Sequence, residues 1–227
     1  MNRNGRGFTL IEVLVVVSIL GVLMGLVSIL VLRSGSHQKK NQTDQLIKMH
    51  LKIAIERYNQ EFKRLPPINV AELTVSSARW KALSNPQNNV LNESAEVLLV
   101  ALKHPDLTAP ITESDWGFDN PTANEDGDSW NMQPDGADSA EAKEIVDAYG
   151  NTIVYIHKNA YGKGPFRITN QNGEEVEVVA CKKPDGQYYN PTSFQLISVG
   201  ENGTQDVDDG VPTEASDDIM NFEPGRG

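Results

Sequence analysis

Residues 7–32 read GFTLIEVLVVVSILGVLMGLVSILVL. Across 13–32 there is no charged side chain, and a helix of about 20 residues at 1.5 Å per residue spans the ~30 Å hydrocarbon core of a bilayer. A membrane-spanning helix is the expectation. A secretory signal peptide would instead carry an apolar core of about 7 to 15 residues followed by a small-residue cleavage site. This run is longer, and Arg33 follows it. Upstream lies a polar leader, MNRNGRG at 1–7, basic at Arg3 and Arg6 and ending in Gly7. Glu12 interrupts the start of the apolar run. A charge near hydrocarbon costs about 2.5 to 3.5 kcal/mol on insertion scales, so a cation or proton donor is expected beside it. In an ordinary anchor, Glu12 would only favour the positive end of the helix dipole. Gly21 and Gly25 form a GxxxG spacing, which permits close helix packing but also arises by chance, because glycine is common in membrane helices.

The six residues Gly7-Phe8-Thr9-Leu10-Ile11-Glu12 resemble the processing site of the type IV pilins and type II secretion pseudopilins, where a short basic leader precedes GFTLIE. The resemblance implies cleavage by a prepilin peptidase after Gly7, with the freed amine of Phe8 becoming an N-methylated mature terminus. It also implies that Glu12 meets the terminal amine of a neighbouring subunit. Two groups that are costly to bury singly become tolerable when paired in an apolar fibre core. The implied partners are further copies of the chain, other pseudopilins, the prepilin peptidase, an inner-membrane assembly platform and membrane lipid. The implied location is the bacterial inner membrane, crossed once with the N-terminus cytoplasmic and the head periplasmic, before extraction into a periplasmic or surface fibre.

Working outward, the basic residues Arg33, His37, Lys39 and Lys40 lead into a segment with apolar residues at Ile47, Leu51, Ala54, Ile55, Tyr58 and Phe62. That spacing marks one face of a helix. Leu65-Pro66-Pro67 should end it, because proline disfavours helix in the residue before it and lacks an amide. Ser34-Gly35-Ser36 is a candidate for a local loosening. The expected division is a leader at 1–7, a transmembrane and polymerisation helix at 8–33, an amphipathic stalk helix at 34–65 and a globular head at 66–227.

Within the head, SAEVLLVALK at 94–103 has the apolar spacing and acidic start of a short helix, ended by His104-Pro105. Residues 112–140 are rich in Asp, Asn, Gly and Pro around Trp116 and Trp130. They read as a variable loop, either a mobile insertion or a presented surface, with at least one indole packed in the core. Strand signals follow at 152–157, 166–169, 175–181 and 193–199, separated by turns such as Asn172-Gly173 and Asp185-Gly186; an antiparallel sheet is the natural outcome. The fold class is therefore α+β, and the family resemblance makes it pilin-like, a long N-terminal helix packed on a small antiparallel sheet. Asp147-Ala148-Tyr149-Gly150-Asn151 is similar to the DPWGNPY phrase of the major pseudopilins, with Ala for Pro and Tyr for Trp.

With 31 acidic against 20 basic residues and a net charge of -11, the chain lacks the positive surface that a nucleic-acid binder needs to displace phosphate counterions. Residues 1–64 are net basic, while the acids gather at 113–147 and 201–223. Cys181 is the single cysteine, so no disulfide can form within the chain, and after Val178-Val179-Ala180 it reads as a buried strand residue. The acidic C-terminal loop, 198–223, opens with Ser198-Val199-Gly200-Glu201-Asn202-Gly203 and ends with Asp218-Ile219-Met220-Asn221-Phe222. These are similar to the SLGADG and DIGNW phrases of the major pseudopilins, a resemblance that implies a bound calcium ion. Several carboxylates and free carbonyls in a Gly-punctuated loop can supply the six to eight oxygens calcium takes. The candidate ligands are Asn202, Asp206, Asp208, Asp209, Asp217 and Asp218. Counting forward from Gly203 favours Asp206, Asp208 and Asp209, whereas aligning by the ending favours Asp217 and Asp218; a solvated acidic tail is the alternative.

There is no GxSxG, HExxH, Walker loop or dinucleotide fingerprint in the sequence, so an enzyme is not expected. Two functions remain in view. One is a structural subunit of a type II secretion pseudopilus; the other is a type IV pilus pilin, or a pilin-like adhesin or uptake subunit whose head binds a surface.

Overall fold

The computed structural model describes residues 10–76, 90–112, 115–119, 121–134 and 139–223, with the side chains of 26–34 and 74–76 outside the description. Gly7 and Phe8 therefore lie outside the described residues. The chain forms two compact units, residues up to Gln38 and Lys39–Gly227.

The first unit is carried by α1, Leu10–Gln45, which continues into the second unit. Every described side chain at 10–25 is exposed, including Leu10 (84%) and Met24 (71%). Apolar surface left exposed to water on this scale is unfavourable. Among the described residues, no helix is long and apolar enough to cross a membrane. The backbone stays α-helical through 34–36. The departure comes later, as a π-helical turn at Leu46–Leu51, before α2, Lys52–Phe62, resumes α geometry.

The turn and α2 present the apolar face that the spacing anticipates: Ile47, Leu51, Ile55 and Tyr58 are buried, with Ala54 and Phe62 half-buried against them. α2 ends at Phe62 with Lys63 in the left-handed region (φ 56°), just ahead of Leu65-Pro66-Pro67. Two more helices follow, α3 at Val70–Ser76 and α4 at Glu93–Leu102. Every residue of α4 from Ser94 to Leu102 is buried, as an apolar helix must be when it runs through a core.

The centre of the head is a three-stranded antiparallel sheet in the order β3 (Val154–His157), β6 (Phe194–Ser198), β9 (Ile219–Met220). Val154 pairs with Ile197 and Tyr155 with Leu196, while Ile197 pairs with Met220. Period-two alternation sends Tyr155, Phe194, Leu196 and Ile219 into one core with the π turn, α2 and α4. Val154, Ile156, Ile197 and Met220 face a second core, capped by the hairpin of β4 (Phe166–Thr169) and β5 (Glu175–Val178). A sheet buried on both faces explains why these strands read as nearly continuous apolar runs. Tyr155 donates its hydroxyl to the Pro66 carbonyl at 3.0 Å, fixing the chain after α2 to the sheet.

Within 112–140 the described residues are mostly turns and irregular chain, as in a loop, with one short paired strand. β1 (Thr122–Ala123) pairs antiparallel with β2 (Glu144–Ile145), and the pairing extends through Trp130 N–H to the Ala140 carbonyl and Ala142 N–H to the Asp128 carbonyl. Trp116 (1% exposed) and Trp130 (4%) both sit in the core, so indole packing, and not hydrophobic periodicity, orders this polar stretch. The small pair β7 (Val207–Asp208) and β8 (Val211–Pro212) completes the strands. Cys181 is fully buried, and burial pushes its thiol up to about 12, so it is an inert core residue.

Leu51 joins the π turn to this core with no exposed surface. Leu51→Ala is expected to cost about 2 to 5 kcal/mol from lost transfer energy and the cavity left behind. Urea unfolding checks this, and a loss below about 1 kcal/mol would mean that the turn is not packed as described.

Candidate functional site

The phrase 147–151 folds around one carboxylate. Asp147 Oδ1 accepts the backbone N–H groups of Tyr149 (2.8 Å) and Asn151 (2.9 Å), and Oδ2 accepts Asn151 Nδ2 (3.2 Å) and the Ser198 hydroxyl (2.5 Å). Asp147 is 2% exposed. Its burial pushes the carboxyl above its ordinary range, against the pull of these donors. Asn151 in turn donates to the Gly200 carbonyl at 2.7 Å and accepts from Gln171 N–H at 2.9 Å. On the other side Ala148 N–H donates to Thr43 Oγ1, near the end of α1, at 3.1 Å. The two phrases at 147–151 and 198–203, far apart in sequence, are thus one hydrogen-bonded body.

That body seats the acidic loop. Gly200 (φ +66°) lies so close beneath Asp217 that a Cβ there would stand 2.5 Å from the Asp217 carbonyl oxygen. Glu201 and Asn202 donate their backbone N–H groups to Asp217 Oδ2 at 2.7 and 3.0 Å. Asp206 N–H donates to Asp218 Oδ2 at 2.9 Å, and Asp217 N–H to Asp206 Oδ2 at 3.4 Å. Asp206, Asp217 and Asp218 each bring a carboxylate oxygen within 4.8 Å of the other two.

The sequence candidates separate accordingly. Asp206, Asp217 and Asp218 converge, uniting members of both sequence alignments. Asn202 reaches the cluster by its amide, Nδ2 donating to Asp206 Oδ2 at 2.9 Å, while its Oδ1 accepts from Thr204 N–H. Asp208 and Asp209 stand apart from the three. Asp209 and Gly210 both have positive φ, 45° and 80°, between the paired strands β7 and β8; this is the Asp-Gly hairpin turn that right-twisted strands favour. The Asp209 carboxylate is almost wholly exposed and lies 3.6 Å from Lys182. The dipeptide Asp-Gly between valines was the available sequence signal for that turn. Glu12 is exposed in the first turn of α1.

The converging set suits a hard cation. All its donors are oxygens, and Asp217 Oδ1 and Asp218 Oδ1 are buried without a hydrogen-bond partner, positions at which an ion would satisfy lone pairs that protein donors do not reach. Burial, followed by the charges of Asp206 and Asp217, pushes Asp218 up to about 7, although hydrogen bonds from Asp206 and Ser216 oppose the rise.

These features define an α+β protein with a long N-terminal helix, small antiparallel sheets and an oxygen-rich C-terminal loop. Residues 2–28 match the model of the prokaryotic N-terminal methylation motif. The chain thus carries the prepilin-processing signal of type IV pilins and pseudopilins, a signal that marks membrane-anchored proteins that are cut by a prepilin peptidase and polymerise with similar subunits. No curated protein and no solved structure matches the chain.

Gly200→Ala is expected to destabilise the chain by about 1 to 3 kcal/mol, because a side chain is strained at this φ and the Asp217 backbone must move. Denaturant unfolding reads the loss; an unchanged midpoint would show that Gly200 does not support Asp217. A folded-state pKa of about 7 for Asp218 against 3.8 for an ordinary Asp means that the folded chain holds the extra proton in between. Stability from this group is therefore present below about pH 4 and lost as pH rises toward 7. In chelator, Asp218→Asn is expected to show a shallower fall over that window, and superimposable pH profiles would refute the assignment.

Proposed function

We propose that the chain is a structural subunit of a type II secretion pseudopilus. The observation that carries this reading is the processing signal at residues 2–28, followed by a helix whose described apolar side chains are all exposed at 10–25. A helix of that kind requires either lipid or the helices of other subunits, and a fibre subunit uses both in turn. The uncharged run at 13–32 spans the inner membrane once, with the head in the periplasm. Cleavage falls after Gly7, Phe8 becomes the methylated terminus, and Glu12 receives the terminal amine of the next subunit in the fibre.

The choice of a pseudopilus follows from the C-terminal loop. Its opening phrase, 198–203, is joined to 147–151 through Asp147, Asn151 and Ser198, and Asp206, Asp217 and Asp218 hold calcium, with Asn202 beside them. Calcium supplies a cross-link that satisfies the carboxylates and ties the last strand to the loop before it, in a chain with one cysteine. Its role is structural, and no reaction is assigned to the head.

Glu12→Ala is expected to abolish or strongly reduce fibre formation while leaving processing intact, whereas Gly7→Leu is expected to block processing itself. Electron microscopy of sheared fibres and the mobility shift of the cleaved chain read the two steps separately. Fibres in normal number from Glu12→Ala would refute the pairing of Glu12 with the terminal amine, and normal cleavage of Gly7→Leu would move the processing site elsewhere.

A further inference from the structure

Away from the C-terminal loop, a second group of carboxylates meets between α4 and the β1–β2 pair. Glu96 comes from the first turn of α4, Asp126 from the turn after β1 and Glu144 from β2. Each offers an oxygen within 4.8 Å of the others. Glu96 is 0% exposed, and neither of its carboxylate oxygens has a hydrogen-bond partner. A buried carboxylate without a donor costs several kcal/mol of desolvation unless something positive neutralises it.

Glu144 is also fully buried. Its Oε1 accepts the Glu125 N–H at 2.6 Å and Asn92 Nδ2 at 3.1 Å, while its Oε2 has no hydrogen-bond partner. Asn92 is itself locked, its Oδ1 accepting Thr169 N–H at 2.8 Å. The donors hold Glu144 by one oxygen and leave the other facing the cluster. Asn124 Oδ1 accepts Gly127 N–H at 3.0 Å and Asn124 Nδ2 donates to the Asp128 carbonyl at 2.9 Å, which fixes the turn bearing Asp126. The Asp128 side chain, 2% exposed, adds a further carboxylate to this turn.

We propose that Glu96, Asp126 and Glu144 bind a divalent cation, calcium in preference to magnesium, that clamps the β1–β2 segment onto α4. The donors are all carboxylate oxygens, which favour hard cations over zinc or copper. Magnesium dehydrates reluctantly and keeps several waters, while calcium accepts a cage of protein oxygens; two fully buried ligands leave little room for a hydrated ion. In the ion-free chain, burial and the neighbouring acids push Glu96 up to about 10 and Glu144 up to about 8. This clamp stands on residues separate from the C-terminal loop, and so does not depend on the reading of that loop.

The test is equilibrium dialysis of the full chain in detergent micelles against calcium, with Glu96→Gln and Asp217→Asn for comparison. The wild type is expected to hold about two calcium ions per chain and each variant about one. Thermal unfolding in chelator controls for folding: Glu96→Gln is expected to melt no lower than wild type there, because the amide matches the shape and neutrality of the uncharged acid, and to gain less on adding calcium. An undiminished calcium count in Glu96→Gln, or a wild-type rise in its melting temperature, overturns the site and leaves these acids as a protonated buried cluster. Displacement of the Glu96-dependent ion by about tenfold excess magnesium overturns the preference for calcium. Two ions retained by Asp217→Asn would count against the C-terminal loop and leave the Glu96 comparison intact.

Discussion

Asp147 is the point on which the head is organised. A single buried carboxylate takes four hydrogen bonds, from Tyr149, from Asn151 twice and from Ser198. Removing it would strand several donors in a buried site, each at about 1 to 3 kcal/mol. Through Asn151 the same centre reaches the Gly200 carbonyl, and through Ala148 it reaches Thr43 on α1. The helix end, the entry to β3 and the acidic loop are therefore set in one frame. A small shift at 147–151 would be felt at Asp217, because Gly200 leaves no room beneath it.

Around that frame the head relies on carboxylates to an unusual degree. With one cysteine, the long irregular segments have no covalent tie, and much of their order comes from polar groups meeting backbone donors. Glu61 accepts from Thr108 N–H and hydroxyl, and Glu93 from Val70 N–H. The two acid clusters extend this arrangement to places where carboxylates outnumber the protein donors. Negative charge concentrated in this way opposes folding until protons or cations neutralise it.

The apolar half of α1 answers to a different constraint. Its described side chains at 10–25 show no inward face. The π-helical turn at Leu46–Leu51 coincides with the start of the buried face. An added residue in a helical turn rotates everything beyond it, which brings Leu51, Ile55 and Tyr58 onto the sheet and α4.

The sequence by itself determined the elements that declare themselves by local pattern. The GFTLIE phrase, the uncharged run, the helical spacing from Ile47 to Phe62 and the strand signals at 152–157, 166–169, 175–181 and 193–199 depend on neighbours within a few residues, as their periodicities and breakers do. The acidic loop was legible as a group of candidate ligands, but the two ways of aligning it could not both be followed along the chain. Tertiary structure brings Asp206, Asp217 and Asp218 together, while Asp209 and Gly210 are taken up by a hairpin turn and Gly200 lies close beneath Asp217. It alone placed both Trp116 and Trp130 in the core and paired 122–123 with 144–145. It alone placed Glu96 beside Asp126 and Glu144, since a glutamate in an apolar helix carries no sign in the sequence of which distant carboxylates the fold will bring against it.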